Sequence, residues 1–445
     1  MKTASADTQA TSPRVLFLTS SAFNKVTGGG ITFTNLFQGW PSEGIATVHN
    51  DSVPVTHDVC HQYFFLTKRE IHRWGWLRNV LLGEISGEVI NSGPSAARPS
   101  ERYIKFKLIK KWLFGNGIPQ EANLSEELEA WVSKFRPTLI YTILGSNEMM
   151  DLVDKLRVRF NLPLVIHIMD DWPSVIYRGG VFSFIQRWKK DRLLQKLMNV
   201  AAARFAIGKD MAVAYENRYK NSFLWFQNAI DISSWQRFVK SPGTVGLPIR
   251  VAYIGSVFPN AQLESLIDCC DAIQTLNDEG FPIRLEIYSP SCSAEPFRDR
   301  LVVGNAVTLQ DTISDDDAFF RTLQALDVLV LPVNFDSYTV QYIRYSMPTK
   351  VPAYLTVGTP ILAYGPAEVA QISCAIRDGW GLPVTSRNQE DLKLALKRLS
   401  TDMKLRQDLS ARARHIAATQ HDARRVREKF QEALIAVSTG TFTGK

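Results

Sequence analysis

The chain of 445 residues contains no apolar run of the ~18 to 20 residues that a membrane-spanning helix needs. Its opening stretch, MKTASADTQATSP, lacks the apolar core of a secretory signal, so residues 1–13 read as a loose tail. The five cysteines (Cys60, Cys269, Cys270, Cys292, Cys374) are odd in number and form no C-x-x-C pair. That excludes a disulfide-stapled scaffold and suits a reducing compartment, the cytoplasm. The seven histidines are scattered, no metal cluster is visible, and no metal or other cofactor is expected. A P-loop is absent, as are repeats at solenoid periods and low-complexity tracts.

What remains is an ordinary globular composition, 45% hydrophobic and 21% charged, in a chain too long for one core. Short apolar runs alternate with helical stretches, as buried parallel strands do in an α/β fold. Five such runs lie at 15–19, 46–49, 139–143, 164–168 and 205–207. After Asn228 the alternation restarts at 250–254, 284–288, 307–309, 328–333 and 360–363. Two doubly wound sheets follow. Between the two series, SSWQRFVKSPGTVGLPIR breaks both periodicities with Ser, Pro and Gly and reads as a linker. The expected domains are 14–240 and 241–410, with 411–445 forming a C-terminal helix that packs back across them. The net charge of +7 is uneven: residues 1–240 hold 30 Lys and Arg against 21 Asp and Glu, the remainder 21 against 23. The first half therefore favours an anionic partner.

Four segments carry residues suited to chemistry. After the first strand, Gly28, Gly29 and Gly30 precede a helix whose free amides could hold an anion, or else form a plain strand-to-helix turn. Phe33 stands where G-x-G-x-x-G would need its third glycine, which argues against a dinucleotide-dependent oxidoreductase. The fourth strand runs into HIMDDWP, placing Asp170 and Asp171 at a strand's carboxyl end, where ligands of open α/β sheets bind. These carboxylates suit sugar hydroxyls or positive charge at an anomeric carbon, and the alternative is a helix cap beside a solvated aspartate. His167 reads as a core histidine. In the second half, YIGS ends a strand with Gly255 and Ser256, small enough to leave room for a phosphate. Farther on, SMPTK offers Ser346, Thr349 and Lys350, two hydroxyl donors and a point charge for a diphosphate, beside Arg344.

In order and spacing, the glycine loop, the DD-W loop, FAIGKDMAVAYENRY leading to FQNAID, the YIGS turn, ALDVLVLPV and SMPTKVPAYLTVGTPILAYGP with GWGLPV resemble the retaining GT-B glycosyltransferases, from Arg14 to about Phe430. The resemblance implies two Rossmann-like doubly wound domains facing a central cleft, with C-terminal helices. It implies a nucleotide-diphosphate-sugar as donor and a glycan or lipid-linked acceptor. It would put Gly29 and Gly30 beside the diphosphate, and Gly255, Ser256, Ser346, Thr349 and Lys350 around its oxygens. Tyr288 and Ile313 would line the nucleoside pocket. Asp170 and Asp171 would be the catalytic pair. The sequence also departs from the family. Two glutamates common in relatives are replaced by Tyr345 and Ala353, no basic residue follows the YIGS turn between Val257 and Leu263, and Met169 stands where a histidine often precedes the aspartate. A second reading follows from the missing glutamates, a GT-B protein that has lost catalysis and serves as a partner or sugar-binding subunit. A nucleotide-sugar epimerase is disfavoured because its carboxylate and histidine groups are not seen.

Two basic segments are interleaved with aromatics. From Lys68 to Lys111 there are ten Lys or Arg against four acidic residues, with Trp74, Trp76, Phe106 and Trp112 within or beside the stretch; FSFIQRWKKDRLLQKL is the second. Such segments suit an anionic membrane surface, giving a cytoplasmic protein peripheral to the inner face, or else a solvated basic face. Nucleic acid is disfavoured as a partner for want of a recognised binding module.

Overall fold

A computed structural model describes residues 12–73, 112–115, 117, 120–240, 245–313 and 315–443. The first half builds β1 (Val15–Thr19), β2 (Ile45–His49), β3 (Gln62–Phe65), β4 (Ile71–Arg73), β5 (Gln120–Ala122), β6 (Leu139–Thr142), β7 (Leu164–Ile168), β8 (Ala203–Ala206) and β9 (Leu224–Trp225). Seven of these form one parallel sheet in the order β3-β2-β1-β6-β7-β8-β9, while β4 and β5 pair antiparallel beside it. The second half builds β10 (Ile249–Ile254), β11 (Ile283–Tyr288), β12 (Val307–Gln310), β13 (Val328–Pro332), β14 (Ile361–Tyr364) and β15 (Leu382–Val384), parallel in the order β12-β11-β10-β13-β14-β15. Every residue of β1, β2, β6, β7 and β13 is buried, as strands covered on both faces require.

Five strands escape the sequence reading: β3, β4, β5, β9 and β15. β3, β9 and β15 are edges of the two large sheets and β4 and β5 form a two-stranded sheet of their own, so each of the five lacks a neighbour on one side and its apolar signal is weak. β9 is two residues long and β15 carries Pro383, tolerated because an edge strand has a free side.

In each sheet the chain reverses its winding beside the first strand, between β1 and β6 and between β10 and β13. Loops after strand carboxyl ends at such switch points form crevices. They carry α1 (Gly28–Phe37) after β1, the Asp170 loop after β7, the Gly255 turn after β10, and the 344–350 loop that follows α4 (Ser337–Ile343) and precedes α5 (Val351–Val357), counting α2 (Ser183–Val200) and α3 (Lys209–Tyr219) earlier in the chain.

The chain crosses between the two sheets twice, and the crossings are tied together. Ile230 N donates to the His421 carbonyl at 2.9 Å, and Ala423 N donates to the Ile230 carbonyl at 2.9 Å. After the second crossing, α7 (Ala423–Ser438), preceded by α6 (Met403–Gln420), lies against the first sheet. Phe430 is fully buried there, with its ring centroid 5.1 Å from Phe37, 5.4 Å from Phe226, 5.6 Å from Tyr141 and 5.9 Å from Phe205. Edge-to-face rings of this kind add to plain burial.

Phe430→Ala should destabilise the protein by about 3 to 5 kcal/mol, the range for emptying a buried phenylalanine site. Thermal unfolding checks it, with Arg425→Ala on the exposed face of the same helix as a control expected within about 0.5 kcal/mol of the parent.

Candidate functional site

The glycine loop is shaped by Asn24, whose side-chain oxygen accepts from the amides of Val26 (2.9 Å) and Thr27 (2.7 Å). Thr27 then caps α1, its hydroxyl accepting from Gly30 N at 3.2 Å. A Cβ on Gly30 would stand 2.3 Å from the Asn24 carboxamide, so this glycine is required by the turn. Gly28, not Gly30, faces the other domain: its Cβ would lie 3.5 Å from the Thr349 methyl. The amides of Gly28 and Gly29 have no acceptor among the described residues. Of the two glycines that the resemblance would put beside the diphosphate, Gly29 lies at the open helix end and Gly30 packs inward against Asn24.

Opposite α1, Lys350 lies half-buried with its ammonium 3.9 Å from the centre of the Tyr253 ring. No carboxylate lies within ion-pair distance of it among the described residues. Desolvation without a counter-charge pulls its pKa down to about 7. Gly255, at φ +141°, lets the β10 turn pass close by; a Cβ there would stand 3.3 Å from the lysine nitrogen. The Ser256 carbonyl accepts from Tyr253 Oη at 2.6 Å, which fixes the ring and the turn together. The result is a cation over an aromatic face, next to a backbone without side chain and across from unpaired helix amides.

Ser346 Oγ donates to Asp170 Oδ1 at 2.5 Å, joining the 344–350 loop to the end of β7. Burial raises the Asp170 pKa, and the Ser346 hydrogen bond opposes that shift. Asp171 is differently used. Its Oδ1 accepts from Tyr215 Oη (2.7 Å) and Arg218 (3.4 Å), and its Oδ2 from Ser174 Oγ (2.7 Å). It begins a short helix, Trp172–Val175, with its carbonyl accepting from Ser174 N at 3.0 Å and its side chain bonding none of that helix's amides. One carboxylate therefore bridges the cleft while its neighbour is held inside the first domain.

Tyr288 adjoins the site through its backbone, its carbonyl accepting from Gly255 N at 2.9 Å, while Ile313 lies farther off. The Tyr288 hydroxyl donates to Glu286 Oε2 at 2.7 Å, two residues back on β11, and Glu286 is held by Arg250. Ile313 is half-buried in the loop after the edge strand β12, two strands from β10, which is ~10 Å at usual strand spacing. His167 is fully buried beneath Tyr141, whose hydroxyl lies 2.7 Å from Nδ1, and burial lowers its pKa to about 3. Ala353 is buried in the second core, while Tyr345 packs against the first. Among the described residues no group of three or more His, Cys, Asp or Glu could hold a metal ion.

Three further residues at this site were given no role in the sequence reading, although Asn228 lies in the FQNAID motif and Tyr253 in the YIGS turn. Asn228 accepts from Thr32 Oγ1 and donates to the Met347 carbonyl, each at 2.7 Å, and so links α1 to the 344–350 loop. Thr32 and Tyr253 sit within a helix and a strand, where they read as packing. The signals for Asn228 were its place at the break between the two strand series and in the FQNAID motif.

No protein-family model matches the sequence, and no curated protein matches it. Solved structures do match over the whole length. Sucrose-phosphate synthase from Thermosynechococcus elongatus superposes with a TM-score of 0.62 at 14% identity, covering 96% of this chain and 100% of the other. The Anabaena protein HepE, solved with UDP and glucose, gives 0.60 at 13% identity over 95% and 99%. WaaG, a glycosyltransferase involved in lipopolysaccharide biosynthesis, gives 0.55 at 13% identity over 96% and 100%. With its seven- and six-stranded parallel sheets and the cleft between them, the chain has the GT-B fold of these enzymes.

Proposed function

We propose that this protein is a retaining glycosyltransferase, moving a sugar from a nucleotide-diphosphate-sugar to a glycan or lipid-linked acceptor. Lys350 carries the reading: an ammonium desolvated against Tyr253 with no counter-charge is a site prepared for an anion. The free amides of Gly28 and Gly29 add donors from the opposite wall. HepE, solved also with UDP-glucose, supports a nucleotide-sugar as donor. In this reading Lys350 and the glycine amides take up charge on the leaving diphosphate, with no metal called for. Gly255 admits the phosphate, and Ser256, Ser346 and Thr349 orient it. The diphosphate itself accepts the acceptor's proton. Asp170, fixed at the strand end, stabilises positive charge at the anomeric carbon.

A second reading is a GT-B protein without catalysis, favoured by Tyr345 and Ala353 at the positions of the family glutamates. It is adopted if the protein binds nucleotide-sugars yet turns none of them over.

For partners, we add an anionic membrane surface. The first half of helix α2 is inverted in polarity: it buries Gln186 and Lys190 and exposes Phe184, Ile185 and Trp188 at 58, 41 and 59%, while Leu194, Leu197 and Met198 farther along pack into the core. Arg187 and Arg192 are exposed on the same helix, with Arg192 stacked 4.8 Å from the Trp188 ring. Trp112 is likewise exposed; the rest of the first basic segment, from Trp74 to Lys111, lies outside the described residues. An amphipathic face with arginines at its rim is suited to the headgroup region of an anionic bilayer. No described helix is long and apolar enough to cross a membrane.

Lys350→Ala should weaken nucleotide-diphosphate-sugar binding by about 1.5 to 3 kcal/mol, the range for a hydrogen bond to a charged group. Because the free lysine titrates at about 7, affinity should fall as pH rises above that value, by up to about tenfold per unit, until the bound-state pKa is reached. A donor sugar is the right ligand here, since its diphosphate does not titrate in that range. Calorimetry between about pH 6 and about pH 9 reads both effects, and a parallel pH profile in Lys350→Ala would remove the lysine from the site.

Asp170→Asn should fold, bind nucleotide and lose about a hundredfold in turnover. Asp171→Asn should instead lower the melting temperature, because it disturbs the Tyr215, Ser174 and Arg218 hydrogen bonds. Turnover and thermal unfolding measured side by side distinguish the two.

Trp188→Ala combined with Phe184→Ala should reduce sedimentation with phosphatidylglycerol vesicles while leaving the melting temperature unchanged. Equal binding by parent and variant would make α2 an ordinary surface.

A further inference from the structure

The two halves of helix α2 are anchored by different means. Its second half buries Leu194, Leu197 and Met198 in the first core, where apolar contact fixes it. The buried positions of its first half are Ser183, Gln186 and Lys190, so no buried apolar side chain holds that half from inside. Its large apolar residues are exposed instead, Val181 and Phe182 just ahead of the helix and Phe184, Ile185 and Trp188 within it. The exposed Trp112 joins them, because Val181 N donates to its carbonyl at 3.0 Å.

The inner side of the same half reaches the site. Lys190 Nζ donates to the Pro173 carbonyl, two residues after Asp171. Asn147 Nδ2 donates to the Gln186 carbonyl and to Gln186 Oε1, each at 3.1 Å, and Asn147 N donates to Tyr177 Oη at 2.8 Å. These bonds join α2 to the segments that follow β6 and β7, the two strands next to β1 in the sheet. Both segments contain costly backbone: Leu144 and Tyr177 are buried with φ of +57° and +59°, a region that a Cβ disfavours. A strained segment keeps its shape only while its surroundings hold it. Here the holders are hydrogen bonds, each modest in net terms, from a half-helix whose outer face is uncovered among the described residues.

We propose that Gln186 and Lys190 are positioning residues, which couple a bilayer beneath α2 to the segment carrying Asp170 and Asp171. Covering the aromatic face fixes the first half of α2, and that half then holds residues 171–177 in the arrangement the cleft requires. The proposal rests on the membrane reading above and extends it from attachment to control. The bilayer is an anionic one, because Arg187 and Arg192 are exposed beside the aromatics while Asp191 is spent on Lys190 at 3.1 Å. Away from the bilayer the segment opens more often, and docking raises its local stability by selecting the held arrangement.

The test follows hydrogen exchange by mass spectrometry in the full chain, alone, with phosphatidylglycerol vesicles and with phosphatidylcholine vesicles. The reporters are the amides of Ser174 and Ile176, which donate to the Asp171 and Trp172 carbonyls at 3.0 and 3.1 Å and lie outside α2. Phosphatidylglycerol should slow both severalfold in wild type, and phosphatidylcholine should not. Lys190→Met keeps the length of the side chain and frees only the exposed Asp191, so it should sediment with the anionic vesicles as wild type does and show no slowing. Lys190→Arg, which keeps a donor for the Pro173 carbonyl, should restore the response. A purely structural lysine would shift exchange without vesicles and leave the response to them intact. Phe184→Ala with Trp188→Ala should lose both binding and slowing, and this variant and wild type still decide the outcome should Lys190→Met melt far below the parent. Wild type that binds the vesicles with unchanged exchange at 174 and 176 overturns the coupling and leaves the membrane reading standing; so does an equal response in Lys190→Met. Wild type that does not sediment overturns both.

Discussion

The carboxamide of Asn228 holds the Thr32 hydroxyl of one domain and the Met347 carbonyl of the other, while the carbonyl of the same residue is met by His421 Nδ1 at 2.7 Å. A carbonyl can only accept, so Nδ1 carries the proton, and burial keeps the ring neutral by lowering its pKa. Three segments distant in sequence, α1, the 344–350 loop and the second crossing, thus converge on a single residue. Each hydrogen bond is worth only about 1 kcal/mol net, but a buried carboxamide left unpaired costs more, so the three arrangements are set together. The positions of the glycine amides and of Lys350 relative to one another follow from this joint.

The cleft is electrostatically unfinished on one wall and complete on the other. Asp171 is matched by a phenol, a hydroxyl and a guanidinium, whereas Lys350 is matched by a ring face alone. An aromatic face recovers part of a cation's lost hydration and cannot replace a carboxylate. The protein therefore carries a small local instability at Lys350, which an incoming anion relieves. Functional sites often concentrate such costs, with the surrounding core supplying the stability.

Much of this architecture was legible in the chain. Strands buried on both faces, such as VLFLT and VLVLP, announce themselves as unbroken apolar runs, and their alternation with helices foretold two parallel sheets. The edge strands QYFF and LPV did not, because edges are half-wet and their pattern resembles a loop. At the site, sequence shows which groups are chemically capable and cannot show which are already occupied. Asp170 and Asp171 are identical neighbours in sequence; only the fold reveals that Tyr215 and Ser174 engage one and Ser346 the other. Gly30 reads like Gly29, yet the Asn24 side chain fills the space its Cβ would need. The inverted face of α2 is a further case: Lys190 and Trp188 have exchanged the places that composition alone would assign them.

The aromatic cluster of the first sheet is closed by Phe430, which is separated from Phe17 and Phe37 by nearly the whole chain. Ribosomes deliver a chain from its N-terminus at about 5 to 20 residues per second, so Phe17, Phe37, Tyr141 and Phe205 emerge long before the ring that covers them. During that interval the first sheet has an uncovered apolar face in a crowded cell. The second domain, whose strands end at Val384, can close its sheet before the first one is sealed. The first sheet's aromatic cluster can therefore be completed only after nearly the whole chain has been made.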